Sequence, residues 1–189
     1  MKPLQAVGLG LVLLALGPVD APVGTFDPLP DPLGWLLVLV GLHGLAPALD
    51  PRRLGTLRFV GGLALCFSIA IVVPAVARWL ETDPSLGWAA DVPRFGFFAL
   101  LCHELSQAAL RARSTAGAST FSITGLGLLI VLAAPPLAFG AGWTGIGTTG
   151  EALAQVTQIA LVVLCFVFAG RRWAGAPEPE APTEPADAE

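Results

Sequence analysis

Six long apolar stretches fill this chain, and the short gaps between them alternate in the sign of their charge. The stretches run over Leu4–Gly17, Leu33–Leu49, Thr56–Leu80, Val92–Leu110, Phe121–Gly140 and Ala152–Gly170. About 20 apolar residues in an α-helix, rising about 1.5 Å each, match a hydrocarbon layer of about 30 Å. A membrane β-barrel would instead show alternating segments of about 10 residues, a pattern the sequence lacks. Charged residues make up 13% of the chain, roughly half of the about 25% usual in soluble domains. The expected fold is all-α, a polytopic transmembrane helix bundle of six spans occupying residues 1–173.

The gaps also set a direction. Lys2, Arg52, Arg53, Arg58, Arg111, Arg113, Arg171 and Arg172 fall on one side. The other side holds Arg78 and Arg94 among Asp20, Asp27, Asp31, Glu81, Asp83, Asp91 and Glu151. Lys and Arg near the ends of spans are retained in the cytoplasm, so both termini are expected there. Trp35, Trp79, Trp88 and Trp143 fall at the expected outer ends and Trp173 at the inner end, as suits indoles anchored at headgroup level. The net charge of −4 belongs to residues 174–189, which carry five acids and no base. That Pro-, Ala- and Glu-rich tail is expected to be disordered. No basic patch points to nucleic acid. The first stretch has a rival reading as a signal peptide cleaved after Ala21, which leaves five spans in the same orientation.

Two proline sites interrupt the stretches. Pro74 is expected to kink the long third span, and Pro135-Pro136 to break the fifth ahead of a loop rich in glycine from Gly140 to Gly150. The runs Asp31-Pro32-Leu33-Gly34-Trp35 and Asp83-Pro84-Ser85-Leu86-Gly87-Trp88 resemble each other. They read as shared turn and interface chemistry rather than as a repeat.

The candidate site lies in the polar exceptions to this pattern. His103, Glu104 and Gln107 fall near mid-membrane in the fourth span, His43 at similar depth in the second, and Glu151, Gln155 and Gln158 form a stripe in the sixth. Ionisable groups at such depth face the bundle interior and mark a ligand or proton pathway, or they join helices by hydrogen bonds. Both readings are open. His43 and His103 also permit bis-histidine haem ligation, although no motif marks it and no cofactor is expected. Cys66, Cys102 and Cys165 form no paired motif and read as buried thiols. Neither a Gly-x-Ser-x-Gly elbow nor a His-Glu-x-x-His zinc motif is present, so no catalytic residue is assigned.

The run Leu29-Pro30-Asp31-Pro32-Leu33-Gly34-Trp35 is similar to a Leu-Pro-Asp-x-x-Gly-aromatic opening of a span found in small multi-span bacterial membrane proteins of uncharacterised function. That resemblance implies a bacterial cell membrane protein and assigns no substrate or catalytic residue. The expected function is non-catalytic: a bundle that packs against other membrane proteins or its own copies in the bilayer, or that binds a small ligand. The alternatives are a transporter or channel subunit with a polar site on the second, fourth and sixth spans, and a haem or quinone redox protein.

Overall fold

The computed structural model describes residues 1–16, 19–21, 24–26, 31–80, 82–141 and 146–176, with the backbone alone for 19–21, 24–26, 138–141 and 146–148. The chain is helical. Its main helices are α1 (Pro3–Ala15), α2 (Asp31–Gly44), α3 (Pro51–Ile71), α4 (Pro74–Leu80), α5 (Pro84–Arg111), α6 (Thr115–Ala141) and α7 (Ile146–Phe168). A short antiparallel ribbon, β1 (Val19–Ala21) and β2 (Gly24–Phe26), joins α1 to α2, with Asp20 opposite Thr25. Trp143 and the acidic tail from residue 177 lie outside the described residues.

Asp-Pro pairs start two of these helices. Asp50 accepts hydrogen bonds from the backbone N–H groups of Arg52 (2.9 Å) and Arg53 (3.4 Å), with Pro51 at the first helical position. Asp83 accepts from Ser85 N–H at 2.8 Å, with Pro84 in the equivalent place. A carboxylate there satisfies orphan donors, and proline supplies a fixed φ without losing a needed N–H. Both helices therefore begin well before their apolar stretches. The fourth stretch, expected to start at Val92, lies within a helix that starts at Pro84 and passes through Pro93.

The prolines act differently from one another. Before Pro74 the long third stretch divides into α3 and α4 at Val72-Val73, because proline lacks an N–H and disfavours helical backbone in the residue before it. Pro135-Pro136 does not break its helix: α6 runs through both to Ala141. Pro136 has no N–H for the carbonyl of Leu132 one turn earlier, and the Trp88 indole N–H of α5 donates to that oxygen at 3.1 Å. The tertiary contact replaces the lost helical bond.

The helices close into a ring in chain order. α1 packs on α2, α2 on α3, α3 on α5, α5 on α6, α6 on α7, and α7 returns to α1. The α1–α2 pair is antiparallel and glycine-mediated: a Cβ on Gly10 would lie 2.6 Å from the Gly34 carbonyl oxygen, and one on Gly41 2.7 Å from the Val7 nitrogen. Small residues let helix backbones approach this closely. Trp35, at 2% exposure, stacks on Phe98 and meets Phe97 edge-on, at 5.9 and 5.3 Å between centroids. Trp35 is thus a core residue rather than an interface anchor, because it packs on the aromatic pair Phe97 and Phe98 of α5.

Apolar side chains also cover the outside. Phe59, Leu63 and Phe67 on α3, Ile123, Leu126 and Ile130 on α6, and Ile159, Val163 and Phe166 on α7 are all exposed. Soluble monomers rarely present apolar surface on that scale. Three helices, over Pro51–Ile71, Thr115–Leu137 and Thr149–Phe168, are long and apolar enough to cross a membrane. α1 and α2 are apolar but shorter, at 13 and 14 residues, and the 28 residues of α5 include Arg94, His103, Glu104 and Gln107.

Candidate functional site

Helix direction brings the bases to one end. The N-termini of α1, α3 and α6 meet the C-termini of α2, α5 and α7 there. The contacts are Pro3 with Gly44, Arg53 with Glu104, Gly117 with Trp173 and Gly175 with Leu45. The chain after α7 closes this end: a 3-10 turn, Arg172–Ala174, buries Ala174 completely and sets Trp173 against Phe121 and Phe168. Gly175 completes the turn at φ 77°, a left-handed conformation that glycine adopts without a Cβ penalty. Residues 174–176, the first three of the segment expected to be disordered, are thus folded against the bundle.

The candidate polar residues divide by face. Glu104 is 4% exposed and pairs with Arg53, Oε1 to Nε at 3.8 Å, while the Arg53 side chain is 60% exposed. Arg53 lies in the first turn of α3, so its stem reaches along the bundle while its charge stays near the basic end, as long cationic side chains do. His103 is exposed and Gln107 half-buried. Successive residues on a helix point about 100° apart, so His103 faces outward where Glu104 faces in. His43 is exposed as well, with an Arg58 guanidinium nitrogen 3.2 Å from its Nδ1. Because guanidinium only donates, that contact requires an unprotonated Nδ1.

On α7 the expected stripe separates in the same way. Glu151 and Gln155 are exposed, whereas Gln158 is buried. The amide oxygen of Gln158 accepts a hydrogen bond at 3.1 Å from Arg94, a residue the sequence assigns to an outer gap. The same Arg94 nitrogen donates at 2.8 Å to the carbonyl oxygen of Leu14, in the last turn of α1. Its guanidinium carbon also stands 5.8 Å and 6.0 Å from the ring centroids of Phe95 and Phe98. Arg94 thus joins α5 to α1 and α7. A carbonyl at a helix C-terminus lacks an intrahelical donor, and a cation there complements the helix dipole. The signal in the sequence is that, apart from Gly96, apolar residues run on directly from Arg94 through Phe95–Leu101, which continues a helix inward.

A third polar link ties α5 to α6: Ser106 and Ser122 hydroxyls lie 2.8 Å apart, and Ser106 donates to the Ala118 carbonyl at 3.0 Å. The seven residues proposed from sequence are therefore not gathered in one place. Glu104 and Gln158 face inward to different arginines, at different levels of the bundle, and His43, His103, Glu151 and Gln155 face outward. Among the described residues no group of three or more His, Cys, Asp or Glu side chains is arranged to hold a metal. No family model matches the chain, and no curated protein or solved structure matches it either.

Proposed function

We propose that this chain is a non-catalytic, six-span protein of a bacterial cytoplasmic membrane that works by packing against another membrane protein. The observation that carries this reading is the outer face of α5. There His103 is exposed and Gln107 half-buried, about 12 Å and 6 Å along the helix from Arg111, and apolar residues are exposed on the same helix (Leu110) and on α6, which packs on it (Ile123 and Leu126). An imidazole at that depth is costly against lipid and favourable against a hydrogen-bonding helix. The inward polar groups support the same reading, since Arg94, Glu104 and Ser106 each join neighbouring helices.

Orientation follows from the basic end, which the positive-inside rule assigns to the cytoplasm together with both termini. α1 and α2 rise about 20 Å each and cross as a close-packed pair, with their short lengths made up by the flanking segments. A transporter would instead call for a shared polar cavity, and the outward positions of His43, His103 and Gln155 favour packing over that alternative.

The test is gentle-detergent purification of the wild type and of His103→Leu. The expected result is a wild type isolated as an oligomer or with a stoichiometric membrane partner, and a variant that is equally stable but released as a monomer. A wild type that is monomeric in detergent and in nanodiscs, with no partner in either, contradicts the proposal.

A further inference from the structure

Among the described residues, three buried side-chain polar atoms have no hydrogen-bond partner: Ser68 Oγ, Arg94 Nε and Gln158 Nε2. Two of them belong to side chains already bonded to each other. The geometry fixes which atoms are left over. Arg94 can only donate, so the Gln158 amide must turn its oxygen toward the guanidinium, and Nε2 is left as an unused donor. A flipped amide would point N–H at N–H. Gln158 is 8% exposed, so water does not satisfy that donor freely, and a buried unpaired donor costs about 1–3 kcal/mol. Among the described residues no carboxylate lies within 4 Å of the Arg94 guanidinium, and Glu104 pairs with Arg53 instead. Asp91, one turn earlier on α5, is close enough for its charge to be felt by Arg94 but makes no direct ion pair with it.

We propose that Arg94 and Gln158 form a binding site for an anionic oxygen group, a phosphate or a carboxylate, reached from the end of the bundle opposite the bases. The unpaired Arg94 Nε–H and Gln158 Nε2–H donate to its oxygens, and the guanidinium supplies the counter-charge, as arginine does at phosphate and carboxylate sites. Arg94 stands about 25 Å along α5 from Arg111, close to the outer edge of a hydrocarbon layer of about 30 Å. At that level the group has two sources: the headgroup of an anionic phospholipid in the outer leaflet, or a small anion from the outer solution. The remaining contacts of Arg94, with the Leu14 carbonyl and the rings of Phe95 and Phe98, hold the guanidinium in place and leave its buried Nε–H without an acceptor.

The experiment measures thermal unfolding of the full chain in phosphatidylcholine nanodiscs. One arm titrates inorganic phosphate or acetate, and the other replaces part of the lipid by phosphatidylglycerol. The expected result is a saturable rise in Tm in one arm, which identifies the source. Gln158→Glu, nearly isosteric, supplies a carboxylate within the protein; it should unfold at a higher Tm without added anion and lose the response. Arg94→Gln should weaken the response at least tenfold, and Arg53→Gln, at the other end, should leave it intact. If Arg94→Gln fails to fold, Gln158→Glu alone decides. No rise in the wild type in either arm, or an undiminished response in Gln158→Glu, overturns the proposal.

Discussion

At the scale of single residues, the ion pair between Arg53 and Glu104 is asymmetric, and the asymmetry has a measurable consequence. Glu104 is buried and Arg53 exposed. Removing the carboxylate leaves a cation that water already solvates, so Glu104→Gln should cost less than about 1 kcal/mol, in the range of surface pairs. Removing the cation leaves a buried carboxylate uncompensated, so Arg53→Leu should cost several times more, up to about 3 kcal/mol. Unfolding titrations of the two variants in the same detergent check the order, and equal losses would show that the pair is effectively solvated at both ends. The sequence makes Glu104 legible as a paired or protonated group. It does not reveal the partner, because Arg53 sits in a basic gap of the linear chain and reaches Glu104 only through the antiparallel packing of α3 and α5. Arg94 is the converse case. A charge near the end of an apolar stretch reads as a loop residue until the helix is seen to begin ten residues earlier, at Pro84.

At the scale of helices, apolar content is readable and continuity is not. All six stretches correspond to helices, yet proline divides the third and leaves the fifth intact. The difference lies in whether another element supplies the missing donor. At α6 it does: Trp88 donates to the Leu132 carbonyl that Pro136 cannot serve. Trp88→Phe should therefore cost about 1 kcal/mol, the low end of the penalty for an orphaned carbonyl, since the site is part-buried. Pro136→Ala restores the helical N–H, so the double variant should be more stable than Trp88→Phe alone. Additive losses in a double-mutant cycle would mean that Trp88 acts only through its ring. The sequence offers Trp88 as an interface anchor at the right level, but the acceptor lies 44 residues further along the chain, and no local pattern connects the two.

At the scale of the whole molecule, one property organises the rest: eight of the ten bases collect at one end of a ring of helices whose outer surface is apolar. That arrangement follows from the order of apolar stretches and signed gaps, which is why fold class and charge polarity were readable from the chain. The candidate site was readable only as a set of residue types, since the face each residue occupies depends on helix rotation, set by Trp35, Phe97 and the glycines of α1 and α2. The central claim, a bundle that crosses the membrane with its basic end in the cytoplasm, is tested most directly by cysteine accessibility. In a background with Cys66, Cys102 and Cys165 replaced by alanine, Ser85→Cys marks the acidic end and Ser114→Cys the basic end. A membrane-impermeant maleimide should label Ser85→Cys on intact cells and Ser114→Cys only after the membrane is opened. Labelling of both positions on intact cells, or of Ser114→Cys alone, would contradict it.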